Sequence, residues 1–267
     1  MSHGFSGLVL YAKRLFRYRH FWAHLALSDL RARFRRSYLG ILWLILQPLL
    51  LTIIMAAVFV FIFRQTFADY SIYIFSGMIA WNFITGCFLI GAMSFIGAES
   101  YVRQVRLPMM GYPLKSVLYC CIVFLLEFCG FVLYALIFKP AIFSWYWVFL
   151  IPFCLTLFFF GAPIAIISAI VNIKLRDYQQ SIGIGLQMLW YLSPVFIMRS
   201  VFDHPGLKGW TAINPIAALM DMLRAPVIEG AVPSLTLYAL VIVWALGLWA
   251  AALFMLLRNE RKIVFYY

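Results

Sequence analysis

The sequence predicts an all-α integral membrane protein with six transmembrane helices, an amphipathic N-terminal helix in the membrane interface and a re-entrant helical segment before the last span. Of the 267 residues, 66% are apolar and 11% are charged, whereas soluble domains carry about 25% charged residues. A water-soluble fold of this length could not bury so much apolar surface. The apolar runs are long enough to cross a bilayer and lack the strict alternation of a membrane β-barrel.

Six apolar stretches define the predicted spans. Each meets or approaches the roughly 20 residues that a helix needs to cross the hydrocarbon region, and a helix satisfies every backbone group within such a segment. The stretches are Leu39–Phe63, Ile72–Ile96, Val117–Phe138, Trp145–Val171, Ser181–Met198 and Leu235–Leu257. Because no internal repeat or linker divides them, residues 38–267 are predicted to form a single six-helix membrane domain.

Residues 1–37 are predicted to form a cytoplasmic amphipathic segment. They contain eight Lys/Arg residues and no uninterrupted apolar region with a cleavage site, so we expect no cleavable signal peptide. From Tyr18 to Arg36, apolar residues recur mainly at spacings of three and four, which is typical of a helix in the headgroup plane. A topology anchor alone is the alternative. The residues assigned to the interfacial helix are Trp22, Arg31, Arg33, Arg35 and Arg36.

The distribution of basic residues predicts that both termini are cytoplasmic. Sixteen Lys/Arg residues flank the spans on the side of the N-terminus, and five, including Arg224, lie on the other side. An excess of Lys/Arg marks cytoplasmic loops. The formal net charge of +12 suits anionic lipid headgroups, and without a basic face on a folded domain we expect no nucleic-acid binding.

The segment from Arg199 to Ser234 separates predicted spans five and six. It is rich in Pro and Gly, and its apolar stretch between Pro215 and Ile228, about a dozen residues, is too short to span. Asn214 before Pro215 fits a helix start with proline at the first helical position. We therefore predict a re-entrant or interfacial helix pair marked by Asn214 and Pro215; a small soluble domain outside the membrane is the alternative.

Aromatic residues are the most informative side chains and make up 19% of the chain. Many lie near span ends, as an interfacial belt requires. Aromatic faces stack on the C–H faces of sugar rings and polar tips bond hydroxyl groups, so a pore lined in this way could pass a polysaccharide. Packing against lipid is the alternative for each residue. The candidates for lining a conduit are Phe59, Phe63, Trp81, Trp190, Tyr191 and Phe196.

Residues suited to catalysis are scarce in the sequence. It contains no Gly-rich phosphate loop ending in Lys-Ser/Thr, no His/Cys/Asp cluster with metal spacing and no nucleophile motif. The five cysteines lie in apolar runs, without the spacing of a zinc site. We therefore predict no catalytic, cofactor-binding or metal-binding residues in this chain, and a membrane enzyme such as a lipid transferase has little support.

Glu127 is the one acidic residue that the predicted spans place clearly at membrane depth. Intramembrane charges often mark ion or proton pathways, so an ion-coupled transporter using Glu127 is one hypothesis. A protonated or locally hydrogen-bonded Glu127 that packs between helices is the alternative.

Two short loops on the predicted cytoplasmic side suit docking onto a partner protein. Glu99–Pro113 and Asn172–Tyr178 mix apolar residues with a few charges and are too brief to fold alone. Ordinary connecting loops would have the same spacing.

Several segments, taken in order, resemble one known family. Leu27–Pro48 resembles the entry to the first span of type-2 ABC exporter permeases, the membrane subunits that export O-antigen, capsular polysaccharide and teichoic acid. Val105-Arg106-Leu107-Pro108 is similar to that family's short cytoplasmic helix after span two, and Asn172–Tyr178 to its segment after span four. Ser193-Pro194-Val195 and Asn214-Pro215 resemble its landmarks in span five and the re-entrant segment.

The resemblance implies a bacterial inner-membrane permease, a homodimer joined by two copies of a separate ABC ATPase that would bind ATP and Mg. Spans one and five would line a conduit for lipid-linked polysaccharide, O-antigen or capsule, which leaves the cytoplasmic side. Export of teichoic acid or of a small amphipathic molecule is the alternative; the short loop between spans one and two looks more like the polysaccharide branch. The residues implied in coupling to the ATPase are Val105, Arg106, Leu107, Pro108, Arg176 and Asp177.

Overall fold

The structure, a computed structural model, describes residues 13–98, 107–175, 177–202 and 204–263. These residues form helices with turns and irregular segments between them, and no strand occurs among them. The helices are α1 (Arg19–Phe34), α2 (Trp43–Phe63), α3 (Phe67–Ala92), α4 (Gly111–Phe138), α5 (Leu150–Lys174), α6 (Tyr178–Tyr191), α7 (Arg199–Phe202), α8 (Pro205–Ile213), α9 (Pro215–Arg224) and α10 (Leu235–Ile263). Short 3-10 turns lie at Gly40–Leu42, Ile96–Ala98, Pro140–Ile142 and Trp145–Phe149, and a π-helical turn lies at Ala225–Glu229.

Five helical segments in the described part of the chain are long and apolar enough to cross a membrane. Each overlaps one of the predicted spans, so five of the six predictions are confirmed and the chain is an all-helical, multi-pass membrane protein. The five segments are Gly40–Phe63, Phe67–Ala92, Gly111–Phe138, Trp145–Lys174 and Leu235–Asn259.

The predicted fifth span, Ser181–Met198, is not one continuous helix. Its helix, α6, ends at Tyr191 after 14 residues, about 21 Å at the usual helical rise, which is short of a full crossing. Residues 192–198 continue without helical structure. Pro194 explains the break, because proline cannot donate a helical hydrogen bond and its ring disfavours helical geometry in the preceding residue.

Helix α3 is the central element of the bundle. It contacts α2, α4, α5, α6 and α9, and 67% of its most apolar window is buried. The corresponding value for α2 is 17%. One side of α2 is therefore free to meet lipid or a partner, whereas α3 is positioned on nearly all sides by protein.

A cluster of buried side chains, here called the basal cluster, joins the two ends of the chain. It brings the N-terminal helix α1 to the beginning of α4, to the last turns of α5 and to the last turns of α10. The described beginning and end of the chain therefore lie at the same end of the bundle, which we call the basal end. The basal cluster consists of Trp22, Phe95, Ala98, Met109, Tyr112, Ile166, Ala169, Ile170, Ala252 and Leu256.

Helix α1 packs along the first turns of α4. Trp22 is 3% exposed and meets the Tyr112 ring edge-on, with 5.3 Å between ring centroids. Further along, Lys115 forms an ion pair with Asp29, and the Arg33 guanidinium donates a hydrogen bond to the Tyr119 hydroxyl at 2.9 Å. Of the residues assigned to the interfacial helix, Trp22 is thus buried against α4, and the others, Arg31, Arg33, Arg35 and Arg36, are exposed.

Replacing Gly111 with valine should detach α1 from α4. A Cβ atom at Gly111 would lie 2.1 Å from Cζ2 of Trp22, so the indole would have to leave its site. The buried side of α1, formed by Trp22, Ala26 and Leu30, would then become exposed. We expect trypsin to cleave α1 about tenfold faster, as local opening predicts for a loss near 1.4 kcal/mol. The matched control is Gly97→Val, because Gly97 has no neighbouring atom within 4 Å of the added Cβ. Equal cleavage rates in the two variants would contradict this packing.

Candidate functional site

The six aromatic residues predicted to line a conduit lie in one connected cluster. They come from α2, α3, α6 and the non-helical segment that follows α6. Neighbouring rings are 5.4 to 6.4 Å apart between centroids, within the range of favourable aromatic contacts. The chain of contacts runs through Phe63, Phe59, Phe196, Trp190 and Trp81, with Tyr191 edge-on to Phe196.

A cavity of about 400 Å³, here called the aromatic cavity, lies beside this cluster between α2, α3 and α6. Three of the six predicted residues line it: Trp81, Trp190 and Tyr191. Phe59, Phe63 and Phe196 are not part of its lining. Of these three, Phe196 contacts the lining rings Trp190 and Tyr191. Phe59 contacts Phe196, and Phe63 contacts Phe59. The remaining lining residues are Met55, Thr85, Leu89, Gly183, Leu186 and Gln187.

Two of the helices around the aromatic cavity, α2 and α6, each present an exposed apolar surface. Apolar side chains on their outer sides are exposed in the described part of the chain. They are Leu51, Ile54 and Val58 on α2, and Ile184 and Met188 on α6.

A buried arginine holds the non-helical segment after α6. Arg224, the last residue of α9, is 3% exposed, whereas the count of basic residues treats it as a loop charge on the side opposite the N-terminus. Its guanidinium lies over the Tyr73 ring, 3.6 Å from the centroid. It donates hydrogen bonds to the carbonyl oxygens of Pro194 at 2.7 Å, Val195 at 3.0 Å and Tyr73 at 3.1 Å, and to the Ser76 hydroxyl at 3.3 Å.

These bonds explain how an irregular segment can be buried. Carbonyl groups at Pro194 and Val195 lack helical partners, and buried backbone groups need donors. The guanidinium supplies several donors from one side chain. Gly77 allows the approach, since a Cβ there would lie 2.4 Å from the Val195 oxygen and 2.6 Å from the Arg224 guanidinium. The charge pattern of the sequence does not predict this anchor; the signal for it is that Arg224 lies inside the apolar stretch Pro215–Ile228.

Helices α8 and α9 form a pair joined at Asn214. Helix α9 begins at Pro215, and the Asn214 side-chain oxygen accepts a hydrogen bond from the Ile216 amide at 2.9 Å. The Asn214 amide group donates to the Ser193 hydroxyl at 3.1 Å. Nearly all of α9 is buried, and it contacts α3 and α10. The predicted helix start at Asn214-Pro215 is therefore present, and it ties α9 to the same segment that Arg224 holds.

The residues assigned to ATPase contact fall partly outside the described ranges: Val105, Arg106 and Arg176 are not described. Leu107 packs against the basal cluster, and the Pro108 carbonyl accepts a hydrogen bond from the Gly111 amide at 2.9 Å. Asp177 is exposed at the beginning of α6. Ile173, four residues before it, also packs on the basal cluster, so the described parts of both loops lie at the basal end.

Comparison with known proteins gives matches over most of the chain. The family described as ABC-2 type transporter matches residues 21–228, a range that includes the aromatic cavity and Arg224. The chain is 26% identical over 262 residues to the O-antigen export system permease protein RfbA of Myxococcus xanthus. The aligned region covers 95% of this chain and 98% of that protein.

Two proteins of Klebsiella pneumoniae carry the same description, O-antigen export system permease protein RfbA. One is 25% identical over 197 residues, covering 72% of this chain and 74% of its own length. The other is 24% identical over 207 residues, covering 76% of this chain and 78% of its own length. The similarity therefore extends over most of both partners in each comparison.

Proposed function

Since the chain belongs to the ABC-2 type transporter family as a membrane permease subunit, we propose that it exports a lipid-linked polysaccharide, O-antigen or capsule, across the bacterial inner membrane. The observation that carries this proposal is the aromatic cavity between α2, α3 and α6. Three relatives described as O-antigen export permeases support the substrate class.

The lining of the aromatic cavity suits a sugar chain that must keep moving. Rings at Trp81, Trp190 and Tyr191 offer faces for the C–H side of sugar rings, and Thr85 and Gln187 offer groups that bond hydroxyls. No charged side chain lines the cavity in the described part of the chain. Such a surface binds each sugar unit weakly and alike, which permits passage of a repeating polymer.

A second copy of the chain would complete the conduit. The exposed outer sides of α2 and α6 flank the aromatic cavity, and a two-fold symmetric pair would bring these two helices of each copy together. We therefore propose a homodimer in which α2 and α6 of both copies surround the path. In each copy, α6 and residues 192–198 would together make the fifth of six crossings, and α8 and α9 would form the re-entrant segment.

The energy source would be a separate subunit at the basal end. ABC-2 permeases associate with an ABC ATPase, and this chain carries no Gly-rich phosphate loop of its own. Residues 105–108 and 176–177 are proposed to contact two ATPase copies. The excess of Lys/Arg on the side of the N-terminus supports a cytoplasmic basal end, with residues 1–37 as the interfacial segment and 38–267 as the permease domain.

ATP hydrolysis by the purified permease–ATPase complex tests the substrate class. We expect lipid-linked polysaccharide to raise the rate of ATP hydrolysis severalfold in nanodiscs. A substrate that binds the ATP-hydrolysing conformation of the complex more tightly increases the population of that conformation. The permease without its ATPase should hydrolyse no ATP. A complex that responds to small amphipathic molecules and ignores lipid-linked polysaccharide would contradict the proposal.

A further inference from the structure

A second cavity, here called the polar cleft, has a volume of about 360 Å³ and lies between α2, α3 and α4. Thr85 and Leu89 line both this cleft and the aromatic cavity, so the two spaces adjoin. The polar cleft differs in chemistry, because several polar side chains converge on it from four helices. They are Arg33, Gln47, Asn82, Thr85, Tyr119 and Glu127.

Glu127 has one carboxylate oxygen without a protein partner. The residue is 4% exposed, and its Oε1 accepts a hydrogen bond from the Asn82 amide group at 3.0 Å. Its Oε2 is buried and accepts no hydrogen bond from any residue that the structure describes. Since buried polar atoms are nearly always paired and the surrounding lipid offers no donor, this oxygen is suited to a donor brought by a ligand.

Helix α2 adds polar groups on the facing wall. Pro48 has no N–H, so the Leu44 carbonyl loses its helical donor, and both residues line the polar cleft. Gln47 lies between them in the sequence, lines the same cleft and is exposed. The Gln47 amide and the buried Glu127 carboxyl group therefore line one space, and a buried polar atom without a protein partner is costly unless a ligand supplies one.

The polar cleft also limits which ligand it suits. Tyr119 and Glu127 lie eight residues apart on α4, about 12 Å along the helix, so the space is elongated. Arg33 lines it and is bonded to Tyr119, which disfavours a cationic ligand. No group of three or more metal-ligating side chains occurs within the described residues. A neutral ligand with several hydroxyl groups fits both the free acceptors and the amide donors.

We propose that the polar cleft is a saccharide-binding subsite, in which Glu127 and Asn82 bind ring hydroxyls and Gln47 bonds the opposite edge of the sugar. A hydroxyl would donate to Glu127 Oε2, replacing the missing protein donor. The identity of the biological ligand rests on the proposed function: the saccharide would be a unit of the exported glycan, reaching the polar cleft from the adjoining aromatic cavity.

Photolabelling of the full permease–ATPase complex in nanodiscs tests this subsite. The probe is an alkyl glucoside with a diazirine beside its glycosidic oxygen, and the matched probe is an oligoethylene glycol ether with the same diazirine and alkyl chain. We expect the glucoside to label α4 residues 119–127 about tenfold more than the ether. Glu127→Gln should reduce that labelling about tenfold, because an amide group replaces one of the two carboxyl oxygens and leaves a single oxygen to accept from Asn82 and from the sugar hydroxyl.

A second variant tests the subsite without changing the buried Glu127, whose substitution could also affect folding. Gln47 is exposed, so Gln47→Leu should leave the fold intact and reduce labelling about threefold. Gln180→Leu, an exposed glutamine on α6 that lines neither cavity, should leave labelling unchanged. Equal labelling by glucoside and ether, or full labelling in both Glu127→Gln and Gln47→Leu, would overturn the subsite. Polysaccharide export measured on the same samples distinguishes the subsite from the proposed function. Specific labelling by the glucoside without polysaccharide export would contradict the proposed function and leave the subsite supported.

Discussion

Arg224→Met is expected to lower the melting temperature of the detergent-solubilised protein by about 10 °C. Methionine has a similar length but no donors, so the buried carbonyls of Tyr73, Pro194 and Val195 would lose the hydrogen bonds that the guanidinium donates. Bonds to a charged donor contribute about 1.5–3 kcal/mol each; with relaxation we expect a net loss of about 3–5 kcal/mol, which corresponds to this shift for a chain of this size. Thermal unfolding followed by circular dichroism measures it.

The matched control is Arg199→Met. Arg199 forms an ion pair with Asp221 at 3.2 Å, and the two side chains are 35% and 23% exposed. Partly exposed ion pairs contribute about 1 kcal/mol or less, so this variant should lose no more than about 3 °C. If the two variants lost the same amount, the anchoring role of Arg224 would be wrong.

The double variant Trp81→Leu/Trp190→Leu is expected to reduce polysaccharide export about tenfold while the protein remains folded. The two indoles are 5.4 Å apart, edge to face, and both line the aromatic cavity. Leucine keeps the apolar character and removes the flat faces, and aromatic contacts contribute about 0.5–1.5 kcal/mol each beyond area burial. Export from inverted membrane vesicles, supplied with ATP and the partner ATPase, measures the effect.

Trp145→Leu is the control for that experiment. Trp145 is 86% exposed in the 3-10 turn before α5 and does not line the aromatic cavity. We expect export to stay within twofold of the unchanged protein, as single surface substitutions usually have small effects. An export rate unchanged by the double variant would show that the indole faces do not contact the moving polymer.

Much of the fold could be predicted because continuous apolar runs leave little choice of structure in lipid. Five spans are found close to the predicted positions, and only their ends differ by a few residues. The predicted span Ser181–Met198 failed as a continuous helix for a local reason: average hydropathy over the run conceals the break that Pro194 causes. A single proline can be accommodated within a helix, as Pro48 is in α2, so its consequence at Pro194 depends on the partners of the freed backbone groups.

The candidate site was only partly predictable. Side-chain chemistry pointed to the aromatic residues, and the fold brings all six together. The polar contacts depend on residues distant in sequence, 148 positions apart for Arg224 and Ser76 and 45 for Asn82 and Glu127. No spacing rule joins such pairs. The sequence likewise predicts that Trp22 is an interfacial anchor. In the structure Trp22 is buried, because the absence of a side chain at Gly111 leaves room for the indole.

Transport by reconstituted protein tests the central claim most directly. Proteoliposomes would contain the permease alone, the permease with its ABC ATPase, or the pair without ATP, and a lectin would detect lipid-linked polysaccharide that has crossed the bilayer. We predict that polysaccharide crosses only with both subunits and ATP present. Movement against a gradient by the permease alone would contradict the account.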